Sequence, residues 1–162
     1  MSIFVHYDGI KGECSDSGHK DWIDVLSCSY DINRAITSAT STRGDRESSN
    51  TIIRDLVLTK YTDSATPKTF IESCCGTGKE VIIHFTKTGK GGGADVYLEL
   101  RLKNAFISGY SFVGKSQSIN RPHEKITLSF VEMEVKYTPY NEDGNAMAPI
   151  SVGFDTTTNT KK

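Results

Sequence analysis

The sequence predicts a mainly β protein, a barrel or sandwich of two β-sheets with one flanking α-helix. Apolar and polar residues alternate along most of the chain, which is the pattern of half-buried strands. Only residues 67–75 have the spacing and boundary residues of a helix. The order of strands, helix and further strands places that helix beside the sheets.

Two strands and a hairpin are predicted in the middle of the chain. Between residues 96 and 112 the apolar side chains fall on even-numbered positions, through Phe106 and Phe112. This pattern predicts one long strand, or a strand bent at Gly109. Residues 81–86 form an alternating partner, and the glycine-rich residues 88–95 predict the turn between the two strands.

Three further segments have less regular strand patterns. Residues 19–33 predict a long strand, and residues 52–61 are apolar on both faces, so we expect this strand to be covered on both sides. In residues 126–137 the apolar phase shifts by one after Phe130. Because a one-residue shift turns the buried face over, the pattern predicts either a bulge or two halves with different partners.

The predicted helix has recognisable ends. Thr66 can cap its first turn, and Pro67 fits the first helical position, where the missing N–H costs nothing. Gly76 fits the position that follows a helix.

Two adjacent cysteines lie near the start of the sequence IESCCGTGKE, residues 71–80. Phe70 with Cys74, and Ile71 with Cys75, are spaced i, i+4 and form an apolar stripe. We expect this stripe to hold the helix against the barrel wall, with Cys74 as the buried cysteine. Neighbouring helical side chains point about 100° apart, so the pair is not predicted to bind a metal or to form a disulfide.

Composition excludes several classes of protein. The 162 residues, 36% of them hydrophobic, suit a single domain over residues 1–162 with a frayed tail at 156–162. Nineteen basic and twenty acidic residues argue against a nucleic-acid-binding surface. No apolar run predicts membrane insertion or a signal peptide, and the four cysteines are expected to be reduced thiols in a protein made in the cytoplasm.

No motif predicts catalysis, a cofactor or a metal site. Gly-Thr-Gly-Lys at 76–79 lacks the spacing of a phosphate loop, and Glu80 stands where that loop has Ser or Thr. Lys-Thr-Gly at 87–89 lacks the companion motifs of serine β-lactamases.

The remaining reactive side chains are better explained by structure. Cys14, Asp16 and His19 are close in sequence, but we expect Asp16 to form turn hydrogen bonds and not to orient a catalytic base. The four histidines are scattered without ligand spacing, and Arg-Gly-Asp at 43–45 is treated as chance.

For two features the residue chemistry allows two interpretations each. Ser27 and Ser29 face either the core, as small residues, or an aqueous cavity. The long polar loop 34–50 is either a disordered connector or a docking arm.

Five segments, in order and over nearly the whole chain, resemble the haemolysin-coregulated protein (Hcp) family of bacterial type VI secretion. They are YDGIKGECSDSGHKDWIDVLSCSYDI (7–32), DLVLTKYTDSATPKTFIESCCGTGKEVIIHFTKTG (55–89), YLELRLKNAFISGYSF (97–112), EKITLSFVEMEVKYTP (124–139) and APISVGFDTTTN (148–159).

The resemblance implies a structural subunit and not an enzyme. Members are expected to assemble as hexameric rings that stack into a tube. A contractile sheath on a baseplate expels the tube behind a VgrG-type spike, and the lumen carries small effector proteins. Export through this machine needs no signal peptide and leads to the medium or a target cell.

The resemblance also gives candidate roles to the two open features. Loop 34–50 would contact the neighbouring ring through charged residues, and the two serines would face the lumen. The stacking candidates are Arg43, Asp45, Arg46 and Glu47, and the lumen candidates are Ser27 and Ser29. The rival hypothesis is a thiol-dependent enzyme that uses Cys74 or Cys14, and it predicts a cleft and a monomer or dimer.

Overall fold

The computed structural model describes residues 1–36 and 50–162. These residues form one helix, α1 (Thr66–Cys75), and twelve strands. The strands are β1 (Ser2–Tyr7), β2 (Ile23–Val25), β3 (Ser27–Ser29), β4 (Ile32–Asn33), β5 (Ile52–Ile53), β6 (Leu56–Tyr61), β7 (Lys79–Thr88), β8 (Ala94–Val113), β9 (His123–Ser129), β10 (Glu132–Tyr137), β11 (Ile150–Asp155) and β12 (Thr160–Lys161).

Two open antiparallel sheets pack as a sandwich, which confirms the predicted fold class in its sandwich form. The first sheet has the order β12-β11-β10-β8-β7-β1-β2, and the second has the order β3-β6-β9-β8. Strands β4 and β5 form a separate pair. The core lies between the sheets, and both include β8, which therefore joins them.

The long strand is confirmed, and its course explains how it serves both sheets. The first half of β8 pairs with β7 and β10, and the second half pairs with β9 across a register shift between Ile107 and Gly109. Asn104 has a φ of 52°, and the buried phase changes there from Leu102 to Ala105. Phe106 is therefore exposed, contrary to the predicted continuation of one apolar phase.

The segment 126–137 is divided between the sheets. Strand β9 pairs with β6 and β8, while β10 pairs with β8 and β11. The break falls at Phe130 and Val131, where the Val131 N–H donates to the Lys103 carbonyl. The phase shift thus marks two halves with different partners, the second of the predicted alternatives.

Two predicted strands are shorter than expected. Residues 19–33 are broken into β2, β3 and β4, because β2 pairs with β1 in the first sheet and β3 pairs with β6 in the second. Within 52–61 only one face of β6 is buried, and Ile52 is exposed. The expectation that both faces of this segment are covered is therefore wrong for the single chain.

The helix has the predicted length, but its first turn is held differently. Ala65 and not Thr66 is the N-cap, and its side chain makes no capping hydrogen bond. The Asp63 carboxylate accepts from the Ala65 N–H at 2.9 Å instead. Gly76 ends the helix with a φ of −71°, so it is not left-handed; a Cβ there would lie 2.3 Å from the Glu72 carbonyl oxygen.

The predicted hairpin is present, and the chain end is more regular than expected. The Gly89 N–H donates to the Gly93 carbonyl across the turn between β7 and β8. The tail 156–162, expected to fray, forms a turn around the Asp155 carboxylate and the short strand β12. In the part of the chain described, no helix has the length and apolarity needed to cross a membrane.

A buried ion pair lies at the centre of the second sheet. Lys60 and Glu124 are opposite each other on β6 and β9, and both are at most 1% exposed. Lys60 Nζ lies 2.5 Å from Glu124 Oε2 and 2.8 Å from Asp63 Oδ1. Thr66 Oγ1 and the Tyr110 hydroxyl also donate to the Glu124 carboxylate. Each buried charge therefore has a hydrogen-bonded partner, as burial requires.

Lys60→Met is expected to lower the free energy of unfolding by about 3–5 kcal/mol, because it leaves the Glu124 carboxylate buried without its cation. Urea denaturation at one fixed protein concentration measures this loss. Lys125→Met, at an exposed lysine of the same strand as Glu124, is the matched control and should change stability by no more than about 0.5 kcal/mol. Equal effects of the two substitutions would contradict the central role of the pair.

Candidate assembly surfaces

The apolar face of α1 points away from the protein. Its side chains follow helical i, i+3, i+4, i+7 and i+8 spacing, and all are exposed. We name this surface the helix stripe. It consists of Pro67, Phe70, Ile71, Cys74 and Cys75. Phe70 is 57% exposed and Ile71 is 51% exposed, so the expectation that the stripe packs on the barrel is wrong.

The opposite, polar face of α1 is held against the sheets. Thr69 is the one buried residue of the helix, and its hydroxyl donates to the Ala65 carbonyl at 2.9 Å. Thr66 donates to Glu124, which fixes the first turn above the second sheet. Small side chains and hydrogen bonds thus attach the helix, and its large apolar side chains are left in solvent.

Both cysteines of the helix stripe are exposed, so the prediction that Cys74 is buried is wrong. The four cysteines are free thiols, and the buried one is Cys14.

The helix stripe is a contiguous exposed apolar surface. Such a surface is uncommon on a monomeric protein and marks a site of contact with another surface.

A second apolar surface lies at one end of the first sheet. Tyr137, Ile150 and Val152 are 48%, 65% and 51% exposed, and we name them the sheet patch. Tyr137 lies opposite Ile150, and Val152 lies opposite the half-buried Val135, so these side chains share one face. Buried Met133 lies on the same face. The core-facing side of the sheet therefore continues beyond the part that the rest of the chain covers.

The two serines of β3 lie on the surface. Ser27 and Ser29 are exposed, and the Ser27 hydroxyl hydrogen-bonds the Thr59 hydroxyl on β6. Cys28 between them packs against the core. Of the two alternatives, the core position is wrong, and the position facing an aqueous cavity stays a prediction.

The predicted stacking residues cannot be placed. Arg43, Asp45, Arg46 and Glu47 lie outside the described residues, which end at 36 and resume at 50. Their proposed role therefore stays a prediction.

The thiol enzyme hypothesis named Cys74 and Cys14, of which Cys74 is exposed and Cys14 is buried. Burial raises the pKa of Cys14, and it raises the pKa of Cys28 to about 12, which disfavours the reactive thiolate at both. A surface cavity of about 500 Å³ is bordered by Lys20, Trp22 and Lys68, but none of the four thiols lines it. Within residues 1–36 and 50–162, no cluster of three potential ligands could hold a metal ion.

Asp16 forms the turn hydrogen bond that the sequence predicted, and it also contacts the His19 imidazole, which the sequence did not predict. Its carboxylate accepts from the Gly18 N–H at 3.2 Å and from His19 Nδ1 at 2.7 Å. The sequence predicted the apolar stripe of α1 but not its exposure, and it did not indicate the sheet patch. Their periodicity was visible, but it indicates which side chains share a face and not whether another element covers them.

Comparisons with known proteins agree on one family. Residues 4–137 match the family described as "Type VI secretion system effector, Hcp". The chain is 29% identical over 158 residues to protein hcp1 of Pseudomonas aeruginosa, with 96% of this chain and 94% of that protein covered.

Solved structures show the same fold. A type six secretion system protein matches with a TM-score of 0.90 at 24% identity, covering 99% of both chains. Hcp1 from Salmonella typhimurium matches with a TM-score of 0.78 at 24% identity, covering 99% of this chain and 98% of that one. A type VI secretion system effector from Yersinia pestis matches with a TM-score of 0.71 at 25% identity, covering 94% and 98%.

In a monomeric preparation, a small alkylating reagent at pH 8 is expected to modify Cys74 and Cys75 first. Cys14 and Cys28 should react at least about tenfold more slowly, because their burial limits access and raises their pKa. Mass spectrometry of peptides from timed samples gives the four rates. Labelling of Cys28 as fast as Cys75 would contradict the structure.

Proposed function

The chain belongs to the Hcp family of type VI secretion proteins, and from this premise we propose that it is a structural subunit of the secretion tube. Six copies form a ring, and rings stack into the tube that sheath contraction expels. Residues 1–162 act as one structural unit in this role, without catalysis or a cofactor.

The uncovered sheet patch is the observation that carries this proposal. A face that is buried at Met133 and half-buried at Val135 continues to Ile150, which is 65% exposed. Burial of apolar surface contributes roughly 25 cal/mol per Å², so covering this face with another subunit is favourable. A second copy of the chain is the partner that the ring supplies.

The two apolar surfaces differ, and this favours a ring. The helix stripe lies on a helix, while the sheet patch lies on β10 and β11, so a contact between the two joins unlike surfaces. Contacts between unlike surfaces are head-to-tail, and they generate a closed ring when the rotation between copies closes. In our proposal the helix stripe of one copy meets the sheet patch of the next.

The remaining roles follow from the tube. Ser27 and Ser29 face the lumen, where small exposed polar side chains leave room for small effector proteins. Arg43, Asp45, Arg46 and Glu47 offer charges of both signs to the neighbouring ring. The outer partners are the VgrG-type spike, the sheath and the baseplate, and the destination is the medium or a target cell.

Size-exclusion chromatography with light scattering, followed by negative-stain electron microscopy, tests the function. Six-fold annular particles with the mass of six chains are expected. A compact monomer at every concentration tested would refute the tube subunit.

Val152→Asp is expected to abolish the ring and to give folded monomers, because it introduces a charge into the sheet patch at a position that assembly would bury. Light scattering gives the mass, and circular dichroism reports the fold. Ile119→Asp is the matched control, since Ile119 is fully exposed in a turn and belongs to neither surface. Rings from Val152→Asp, or loss of rings from Ile119→Asp, would count against the assignment.

Mixing two assembly-deficient variants tests the head-to-tail pairing. Phe70→Asp disables the helix stripe and Val152→Asp disables the sheet patch, so a mixture retains one intact pair of surfaces. The mixture is expected to form heterodimers and nothing larger, whereas each variant alone stays monomeric. Absence of a heterodimer would show that the two surfaces do not pair.

Deletion of residues 38–48 is expected to leave the ring intact and to stop ring stacking or secretion. The reason is that this part of the polar loop supplies the charged groups for the next ring. Electron microscopy of concentrated rings and measurement of the secreted protein check the two outcomes. Tubes of normal length from the deletion variant would exclude loop 34–50 as the stacking element.

A further inference from the structure

Four titratable side chains form a continuous hydrogen-bonded chain on the outer side of the first sheet. Asp16 Oδ2 lies 2.7 Å from His19 Nδ1, and His19 Nε2 lies 2.9 Å from His84 Nδ1. His84 Nε2 lies 2.8 Å from Glu99 Oε2. The chain connects the segment before β2 with strands β7 and β8, and it joins histidines 65 positions apart in sequence.

Aromatic rings enclose the two imidazoles. Phe4 stacks on His19 with ring centroids 4.5 Å apart, and His19 is only 3% exposed. Trp22 meets the His19 ring edge-on at 4.8 Å and lies tilted against the His84 ring at 4.6 Å. These rings limit the access of water, so the imidazole nitrogens depend on one another and on the two carboxylates.

The three contacts need one proton more than two neutral histidines supply. Each of the three contacts requires one hydrogen between two heavy atoms. A neutral imidazole carries one N–H, so His19 and His84 together fill only two of the three contacts. With both carboxylates ionised, the third contact would bring two acceptor atoms together. The complete hydrogen-bonded network from Asp16 to Glu99 therefore holds one additional proton.

That proton belongs to the imidazoles. The hydrogen bond with His19 lowers the pKa of Asp16, so this group stays ionised. Burial raises the pKa of Glu99, but the hydrogen bond with His84 and nearby positive charge outweigh it, and the net pKa is lowered. Both carboxylates are therefore ionised in this network.

We propose that His19 and His84 together form a binding site for a single proton, which completes the chain from Asp16 to Glu99 in mildly acidic solution. When the proton leaves, the two remaining imidazole hydrogens fill only two of the three contacts, and the third contact brings two acceptor atoms together and opens. A second proton is excluded, because two imidazolium ions cannot share the hydrogen bond between His19 Nε2 and His84 Nδ1.

The charged surroundings favour one added proton. Arg101 on β8 contacts Glu99 at 3.3 Å and Glu80 on β7 at 3.7 Å. Three carboxylates (Asp16, Glu99 and Glu80) and one guanidinium (Arg101) surround the imidazole pair, so one imidazolium changes the formal charge of the cluster from −2 to −1. The other titratable groups near the cluster are His6 on β1, Cys14 and Asp24 near Asp16, and Lys136 on β10 near Glu99.

The pH range of proton uptake follows from the direction in which the pKa of His84 is shifted. Burial lowers the pKa of His84 below its ordinary value of 6.5, and the Glu99 carboxylate only partly opposes this effect. The proton is therefore taken up as the pH falls below that value. Trp22 is the single tryptophan of the protein and contacts His84, so its fluorescence reports uptake directly.

The test is a titration of the intact protein between about pH 8 and pH 5, followed by imidazole NMR shifts and Trp22 fluorescence. One shared midpoint below 6.5 and one proton for the pair are expected. In Glu99→Gln the introduced amide donates to His84 Nε2, so the extra proton is no longer needed. The midpoint should fall by at least about one pH unit, a tenfold loss of proton affinity.

Two further variants make the test specific. His84→Gln should remove the shared midpoint, because it removes one of the two rings that bind the proton beside Trp22. His123→Gln should leave the midpoint unchanged, since His123 contacts Tyr61 and lies outside the chain. The proposal is wrong if each histidine binds its own proton in this range, or if Glu99→Gln leaves the midpoint in place.

Discussion

The buried ion pair between Lys60 and Glu124 is the constraint on which much of the architecture depends. Its two charges lie opposite each other on β6 and β9, whose other buried side chains, Leu56, Leu58, Ile126 and Leu128, are all apolar. A buried charge is tolerated only when its hydrogen-bonding capacity is used. Glu124 uses its capacity on Lys60, Thr66 and Tyr110, and in doing so it fixes the first turn of α1 relative to the second sheet.

This attachment determines which side of the helix faces solvent. Because Thr66 and Thr69 occupy the inner side, Phe70 and Ile71 can only point outward. The first sheet likewise exposes apolar side chains at Ile150 and Val152, because no other part of the single chain packs on that face. A chain with two such surfaces folds into an incomplete sandwich, and in the tube that we propose neighbouring copies cover both surfaces.

The strand arrangement and the proton site share one origin in the long strand β8. Its first half presents Glu99 and Arg101 on the outer side of the first sheet, while its bend at Asn104 turns the second half into the other sheet. Glu99 then meets His84 across the β7–β8 register, and the segment before β2 folds over them to add His19 and Asp16. A local hydrogen-bond network is thereby assembled from three distant parts of the sequence.

The sequence by itself determined a mainly β fold of two sheets, the helix between Pro67 and Cys75, the hairpin after β7 and the phase shift within 126–137, because each follows from short-range periodicity or turn chemistry. It also carried the family resemblance. Only the structure chose the sandwich over the barrel and two separate strands over a bulge. Only the tertiary structure decided that Cys74 and Phe70 are exposed, that Lys60 is buried and that His19 meets His84. Periodicity shows which side chains share a face, but the covering of that face depends on strands and loops far away in the chain.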